Sequence, residues 1–527
     1  MPVFACTMPI LLLSIFVFIS YWTLTVLQLG GFANDPGVGW HLLTGDWIIR
    51  RGEVPLFDPF LASVAPRRWI ADQWLSDLIF AGMLRLADGQ RGMAALYAAL
   101  TGLFLFTFSA IVFGAVVRSS GSPLLAGVSA FIALKLASVQ FVLRPVVFGI
   151  GFFSLTALLV WRIIDRVRNV QTLRVVDVAP LIPLTVLWAN MHPSFSLGIL
   201  FLGLAIVGLV VDTMIIDQKS PQIRTFLALG AAFLLMLAAS LVNPNGVGLL
   251  RQIVSLVGSD FFMNLNEEWR PLNVRSPDGK NFLLSIGVVL VGVCPAVRKR
   301  DQNYVTEPLL VSFFALSALS SVRFLPFYAI SSAPLFAKGL SRLVLWEPLV
   351  RIPLYRRVGA LAVTIDGRAM RQMRAYGGMV LIVSLFPFFS ACFSGTVYPF
   401  SGPFEQSRAQ FPYEAAEALH TIISQEGLLD PIAVCATADW GGFLALHGRG
   451  RFKPIIDDRN SLLGEAFYKD YFSSVSVGGD VNGFLKRTSA RFLLLRDTEP
   501  LAIYLHDTGR LPERWRGRDS VLFEAQN

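Results

Sequence analysis

Blocks of almost purely apolar sequence, roughly 20 residues long, recur along most of this chain and constrain it more than any other feature. At 1.5 Å rise per residue, about 20 residues cross the roughly 30 Å hydrocarbon core of a bilayer. The first block, residues 10–29, holds no charge. Further blocks fall at about 92–117, 123–143, 146–164, 177–191, 195–215, 225–242, 281–297, 307–325, 326–345 and 376–395. They predict an α-helical polytopic membrane protein with about eleven spanning helices in residues 1–395. The composition agrees: 54% of residues are hydrophobic and 15% are charged, against roughly 25% charged in an average soluble chain. For block 10–29 a signal peptide is the competing reading, since Gly31, Phe32 and Ala33 weakly resemble a cleavage site. An uncleaved anchor is favoured, because no Lys or Arg precedes Arg50.

Basic residues set the orientation. They concentrate in the turns at 162–174, 219–224, 298–300 and 351–374, which fall on one side of the predicted bundle. The positive-inside rule makes that side, and the N-terminus, cytoplasmic, in a cell inner (plasma) membrane. The net charge of +9 therefore reports topology and gives no reason to expect a nucleic-acid partner. The opposite side receives a long loop at 31–91, a second at 243–280 and a short turn at Arg323. Within the first loop, residues 74–84 are apolar but too short to span, and predict a helix lying in the interface. Residues 396–527 then form an outer-face (periplasmic or extracellular) domain. Helical spacing at 413–423 and short apolar runs at 432–435, 452–456, 492–495 and 521–523 make it α/β. The four cysteines are scattered and have no metal spacing.

Chemistry concentrates in the first outer loop, which carries D-x-x-x-x-W-H-L-x-T-G from Asp35, then V-P-x-x-D-P-F through Asp58, then Trp69, Asp72 and Trp74. A carboxylate just outside a span sits where burial can raise its pKa and where a lipid-borne substrate can reach it. Asp35 reads equally as a cap of the span or of the next turn. Trp40, His41 and Asp72 suit support of an acceptor or of the loop. For His41, anchoring by hydrogen bonds is favoured over catalysis or metal binding. Asp46, Asp58 and Asp72 have the pattern of solvated or turn residues. Arg144 and Arg323, at outer span ends, suit either snorkelling to headgroups or a phosphate clamp. Arg270 has Glu267 and Glu268 beside it as salt-bridge partners, and His192 at an outer helix end suits packing or a phosphate contact. Asp439 to Gly442 and Asp457 to Asn460 read as ordinary turns in preference to a glycan site.

These motifs, with the W-A-N-x-H run ending at His192 and the later Trp440–Gly442 and Ile456–Arg459 runs, resemble the GT-C class of multi-pass membrane glycosyltransferases, in a poorly characterised bacterial branch. The resemblance implies sugar transfer from a polyprenyl-phosphate-linked donor to a glycan, lipid or protein acceptor on the outer face. It implies Asp35 as general base or acceptor-orienting carboxylate, and Arg144, Arg323, His192 and Arg270 as donor-phosphate contacts. Some members hold a divalent ion on carboxylates. The first outer loop lacks D-x-D, so no metal or other cofactor is expected. A transporter or flippase and a non-catalytic glycan-binding scaffold are the alternatives. The former often shows internal repeats, which this sequence lacks.

Overall fold

The computed structural model describes residues 35–62, 65–85, 96, 99–100, 123–218, 222–265, 267–294, 304–344, 352–353, 410–429 and 431–526. The spans predicted at 10–29 and 376–395, and all but scattered residues of the one at 92–117, lie outside the described residues.

The first outer loop folds as helix α1 (Val38–Arg51), an irregular segment, and α2 (Trp74–Arg85), which realises the short apolar helix expected there. The bundle follows: α3 (Pro123–Ala137), α4 (Val146–Arg168), α5 (Leu181–Ala189), α6 (Phe195–Val211), α7 (Ile223–Ala239), α8 (Val247–Val257), α9 (Pro277–Val293), α10 (Thr306–Ser320) and α11 (Leu325–Val344). Apart from α8, each corresponds to a predicted span; α8 lies in the second outer loop. Among the described residues, the segments Val146–Arg168 and Phe195–Ile216 are long and apolar enough to cross a membrane. Several other helices run shorter than their apolar blocks because Pro or Ser and polar turns end them early, as at Pro180 and Ser321.

Apolar side chains of α4, α6, α10 and α11 meet in one core, where Phe153 lies edge-on to Phe201, Phe314 and Phe327 at 5.0 to 5.2 Å. Beyond the C-terminal end of α6, Asp212 ties three elements together. Its carboxylate accepts from Arg168 (2.9 Å), the Val305 N–H and the Thr306 hydroxyl, while Arg168 also pairs with Glu307. At the other end of α4 stands Arg144.

The outer domain begins with α12 (Tyr413–Gln425). Its sheet comprises β1 (Ile432–Ala436), β2 (Phe452–Pro454), β3 (Phe492–Arg496), β4 (Glu513–Arg516) and β5 (Ser520–Glu524), in the order β2-β1-β3-β5-β4. Strands β2, β1 and β3 are mutually parallel, and β5 pairs antiparallel with both β3 and β4. The α/β expectation holds. Strand β4 was not anticipated, because its sequence ERWR is charged and half-exposed, as befits an edge.

Helix α13 (Gly441–His447) follows β1 and docks the domain onto α1. The contact is backbone on backbone. A Cβ on Gly39 would stand 1.9 Å from the Gly442 carbonyl oxygen, and one on Gly442 would stand 2.3 Å from that of Pro36. Gly39→Ala should therefore push α1 and α13 apart at a cost of about 1–3 kcal/mol. Thermal unfolding of the purified protein checks this, with a lower midpoint expected.

Candidate active site

The loop after α3 and its short 3-10 turn carries Arg144 into the space between the first outer loop, the second outer loop and the outer domain. Three carboxylates converge on its guanidinium. Nε donates to Asp35 Oδ1 (2.5 Å), Nη1 to Glu268 Oε1 (3.0 Å) and Nη2 to Asp458 Oδ2 (3.0 Å). Each comes from a different part of the chain: the start of the first loop, the second loop and the outer domain. Asp458 Oδ1 also accepts from the Trp40 indole N–H at 2.8 Å. Trp40 is thus a bridge from α1 to the outer domain.

Asp35 is buried, and its Oδ1 accepts from Arg144 and from the Gly37 N–H (2.9 Å); among the described residues no donor is bonded to Oδ2. Burial raises the Asp35 pKa; Arg144 opposes the rise, and Glu268 adds to it. Burial likewise pushes Asp458 up to about 7, against the attraction of Arg144. Glu268 moves the other way: Arg144 and Arg323 together outweigh its burial and hold its carboxyl below the usual range. The pocket is therefore a cluster in which a few protons are shared among carboxylates held by fixed cations.

Arg323 approaches Glu268 Oε2 at 4.0 Å, with its guanidinium 5.0 Å from the centre of the Trp269 ring. Unlike Arg144, it is not consumed by carboxylates. Asp72 lies close enough to feel its charge, yet burial dominates and raises the Asp72 carboxyl to about 6. His192 is buried, and its Nδ1 accepts the Ser194 N–H at 3.1 Å, which leaves the ring proton on Nε2. Burial, with Arg323 and Arg144 nearby, drives its pKa well below the ordinary value, so the ring is neutral. His41 Nδ1 lies 2.6 Å from Asp77 Oδ1, both deeply buried. Burial lowers the His41 pKa and raises that of Asp77, and the hydrogen bond between them pins α1 to α2.

Several sequence expectations need correction. Glu268 turns inward to Arg144, whereas Arg270 is exposed, with its carbonyl accepting the Val322 N–H. Asp58 and Asp457 to Asn460 are more than turns. Arg459 is buried and pairs with Asp58 (2.7 Å) and Asp457 (2.6 Å), while its guanidinium lies 4.6 Å from the Trp69 ring centre. Asp58 keeps its turn role as well, capping the Phe60 and Leu61 N–H groups. Glu268 and Asp458 are the site residues that spacing could not reveal, being 124 and 314 positions from the arginine that gathers them. Among the described residues, no cluster of His, Cys, Asp and Glu is arranged to hold a metal ion.

No family model and no curated protein matches the sequence. Solved structures do. Archaeal oligosaccharyltransferase AglB from Archaeoglobus fulgidus, in complex with an inhibitory peptide and a dolichol-phosphate, aligns with 91% of this chain and 69% of its own, at a TM-score of 0.58 and 11% identity. The same enzyme in the apo form gives 0.55 over the same shares, also at 11% identity. This chain has a GT-C fold. ArnT from Cupriavidus metallidurans in the apo state aligns over 97% of this chain and 97% of its own at a TM-score of 0.49 and 15% identity.

A cavity of about 770 Å³ adjoins the cluster, between α1, α2 and the outer domain. Asp35 lines it, whereas Arg144, Glu268, Asp458, Arg323 and His192 do not. Asp35 therefore belongs both to the Arg144 cluster and to the wall of the cavity.

Proposed function

We propose that this protein is a GT-C-type glycosyltransferase that moves a sugar from a polyprenyl-phosphate-linked donor to a hydroxyl-bearing acceptor at the outer face of the cell inner membrane. The observation that carries the proposal is Asp35, buried, held at Oδ1 by Arg144 and the Gly37 N–H, and lining a cavity whose lining does not include Arg144. In this reading the acceptor hydroxyl enters from the cavity and gives its proton to Oδ2. Its oxygen forms the new bond to the anomeric carbon. The bond from that carbon to the phosphate oxygen breaks, and the polyprenyl phosphate departs with the electron pair.

The leaving phosphate falls to Arg323 and to the Nε2–H of His192, because Arg323 is ion-paired only with Glu268, at 4.0 Å, among the described residues, and the neutral His192 lies within reach of the charges of Arg323 and Arg144. Arg144 orients the three carboxylates and lends positive charge without surrendering its hydrogen bonds. A guanidinium at the convergence of Asp35, Glu268 and Asp458 supports a metal-independent site, since it supplies the charge a divalent ion would bring. The AglB structure with bound dolichol-phosphate is in keeping with a lipid-phosphate donor.

The test is transfer of label from a set of polyprenyl-phosphate sugars, in membranes containing the protein. Transfer should depend on Arg323: Arg323→Ala should lower kcat/KM about 10- to 100-fold, the worth of one charged hydrogen bond. No transfer from any donor, together with solute movement across protein-containing vesicles, would replace the enzyme with a transporter.

A further inference from the structure

The cavity beside Asp35 has a composition of its own. Its floor is apolar, from Leu42 and Leu43 of α1, Leu84 of α2, and Phe443 and Phe452 of the outer domain. Its charged lining holds four cations, Arg50, Arg85, Arg449 and Lys453, against two carboxylates, Asp35 and Asp46. Both carboxylates are already answered. Asp35 is bound by Arg144, and Asp46 is bridged by Arg50 (2.7 Å) and Arg85 (2.5 Å). Lys453 donates to the Pro59 carbonyl (2.8 Å), a neutral acceptor that leaves its charge uncompensated. Arg449 is exposed and, among the described residues, has no ion-pair partner. It is presented by a turn in which Arg449 and Gly450 both take positive φ, +48° and +82°. A non-glycine residue in that region is uncommon, and here it aims a long cation at the mouth of an apolar cavity. His447, also lining, has its pKa lowered to about 4 by burial and by Arg449, so it is neutral at physiological pH and adds no charge.

We infer that this cavity receives the acceptor as an anionic amphiphile, with an apolar portion on the Leu and Phe lining, a phosphate or carboxylate at Arg449 and Lys453, and a hydroxyl delivered to Asp35. The identification of the occupant as an acceptor rests on the transferase reading; the chemistry of the cavity does not. Apolar floor and cationic rim together select against both a neutral amphiphile and a free anion, since each satisfies only half of the lining.

The experiment uses the full chain in zwitterionic nanodiscs, with empty discs as the partitioning control, titrated with octyl phosphate, octyl glucoside and inorganic phosphate. Octyl phosphate should bind at least about tenfold more tightly than either of the others, the factor that 1.4 kcal/mol represents. Measured in Arg323→Ala protein, which removes the proposed donor-phosphate contact, octyl phosphate binding should persist, the added double change Arg449→Glu/Lys453→Glu should weaken it about tenfold or more, and Arg449→Lys should retain it. Equal binding of octyl glucoside, or of inorganic phosphate alone, overturns the proposal. So does an unaltered double variant, or loss of binding in Arg323→Ala, which would put the phosphate on the guanidinium side. Asp35→Asn separates the two readings. If it transfers at the wild-type rate, the catalytic assignment fails, while octyl phosphate binding still decides the cavity.

Discussion

Replacing Asp35 with Asn should cut sugar transfer by about 10²- to 10⁴-fold while leaving the protein folded, the range expected when a general base is removed. Asn keeps the size of the side chain, and its Oδ1 still accepts the Gly37 N–H and Arg144. The guanidinium remains paired with Glu268 and Asp458, so no buried charge is stranded. Stability should even rise slightly. A carboxyl whose folded-state pKa is raised favours the folded state at low pH, and loses that contribution as pH climbs through the raised value. At neutral pH Asp35 therefore carries a penalty that Asn does not. Activity has the opposite sign, because the base must be deprotonated to act. The rate should fall as pH falls through the Asp35 pKa, which burial raises above the ordinary 3.8. Measuring kcat against pH checks this, together with the thermal midpoint of both proteins. Wild-type turnover by an equally abundant Asp35→Asn protein would remove Asp35 from the chemistry.

Asp458 sharpens that profile. It shares Arg144 with Asp35 and has its own carboxyl raised to about 7, in part by the Asp35 charge. Asp458→Asn keeps a Trp40 acceptor but removes one negative charge, freeing Arg144 to stabilise the Asp35 carboxylate more strongly. The acid limb of the pH–rate curve should then move to lower pH and the plateau rate should drop, since a less basic carboxylate takes a proton less readily. A residue serving only as a turn would move neither.

What the sequence disclosed follows from what kind of signal each feature leaves. Helices such as α4 and α6 announce themselves because lipid demands a long apolar run, and every residue of the run reports it. Asp35, Arg144 and Arg323 stood out because a charge beside such a run is costly without a purpose. Their meeting in one cluster was not legible, and neither were Glu268 and Asp458. A carboxylate in a loop looks the same whether it faces water or a guanidinium more than a hundred residues away in sequence. The same blindness hid Arg459, whose local context Asp-Asp-Arg-Asn has the composition of a solvent turn. Strand β4 escaped for a different reason: an edge strand that shows charge to water lacks the alternation by which half-buried strands are recognised.

Arg459→Met should be the most damaging change outside the cluster, destabilising the docked outer domain by about 3–5 kcal/mol, the cost of breaking a buried ion pair from one side. Its guanidinium satisfies Asp457 within the outer domain and Asp58 in the first loop, and it packs over the rings of Trp69, Trp40 and Phe60. Met fills similar space yet leaves two buried carboxylates without a cation. Lys is no substitute, since one ammonium on a flexible stem cannot reproduce the Nε–H to Asp457 together with the Nη1–H to Asp58. The loss should register as faster limited proteolysis between the spanning region and the outer domain, and as lost transfer, because Asp458 is the next residue and Trp40 its partner. The cause is separable from simple unfolding. Adding Asp58→Asn and Asp457→Asn to Arg459→Met removes the stranded charges and should recover much of the protease resistance. Transfer should recover with it only as far as Asp458 returns to Arg144. An outer domain that stays docked and active in the Arg459→Met protein would mean that the Gly39–Gly442 contact, with the Trp40–Asp458 and Lys453–Pro59 hydrogen bonds, suffices to hold the two halves of the site together.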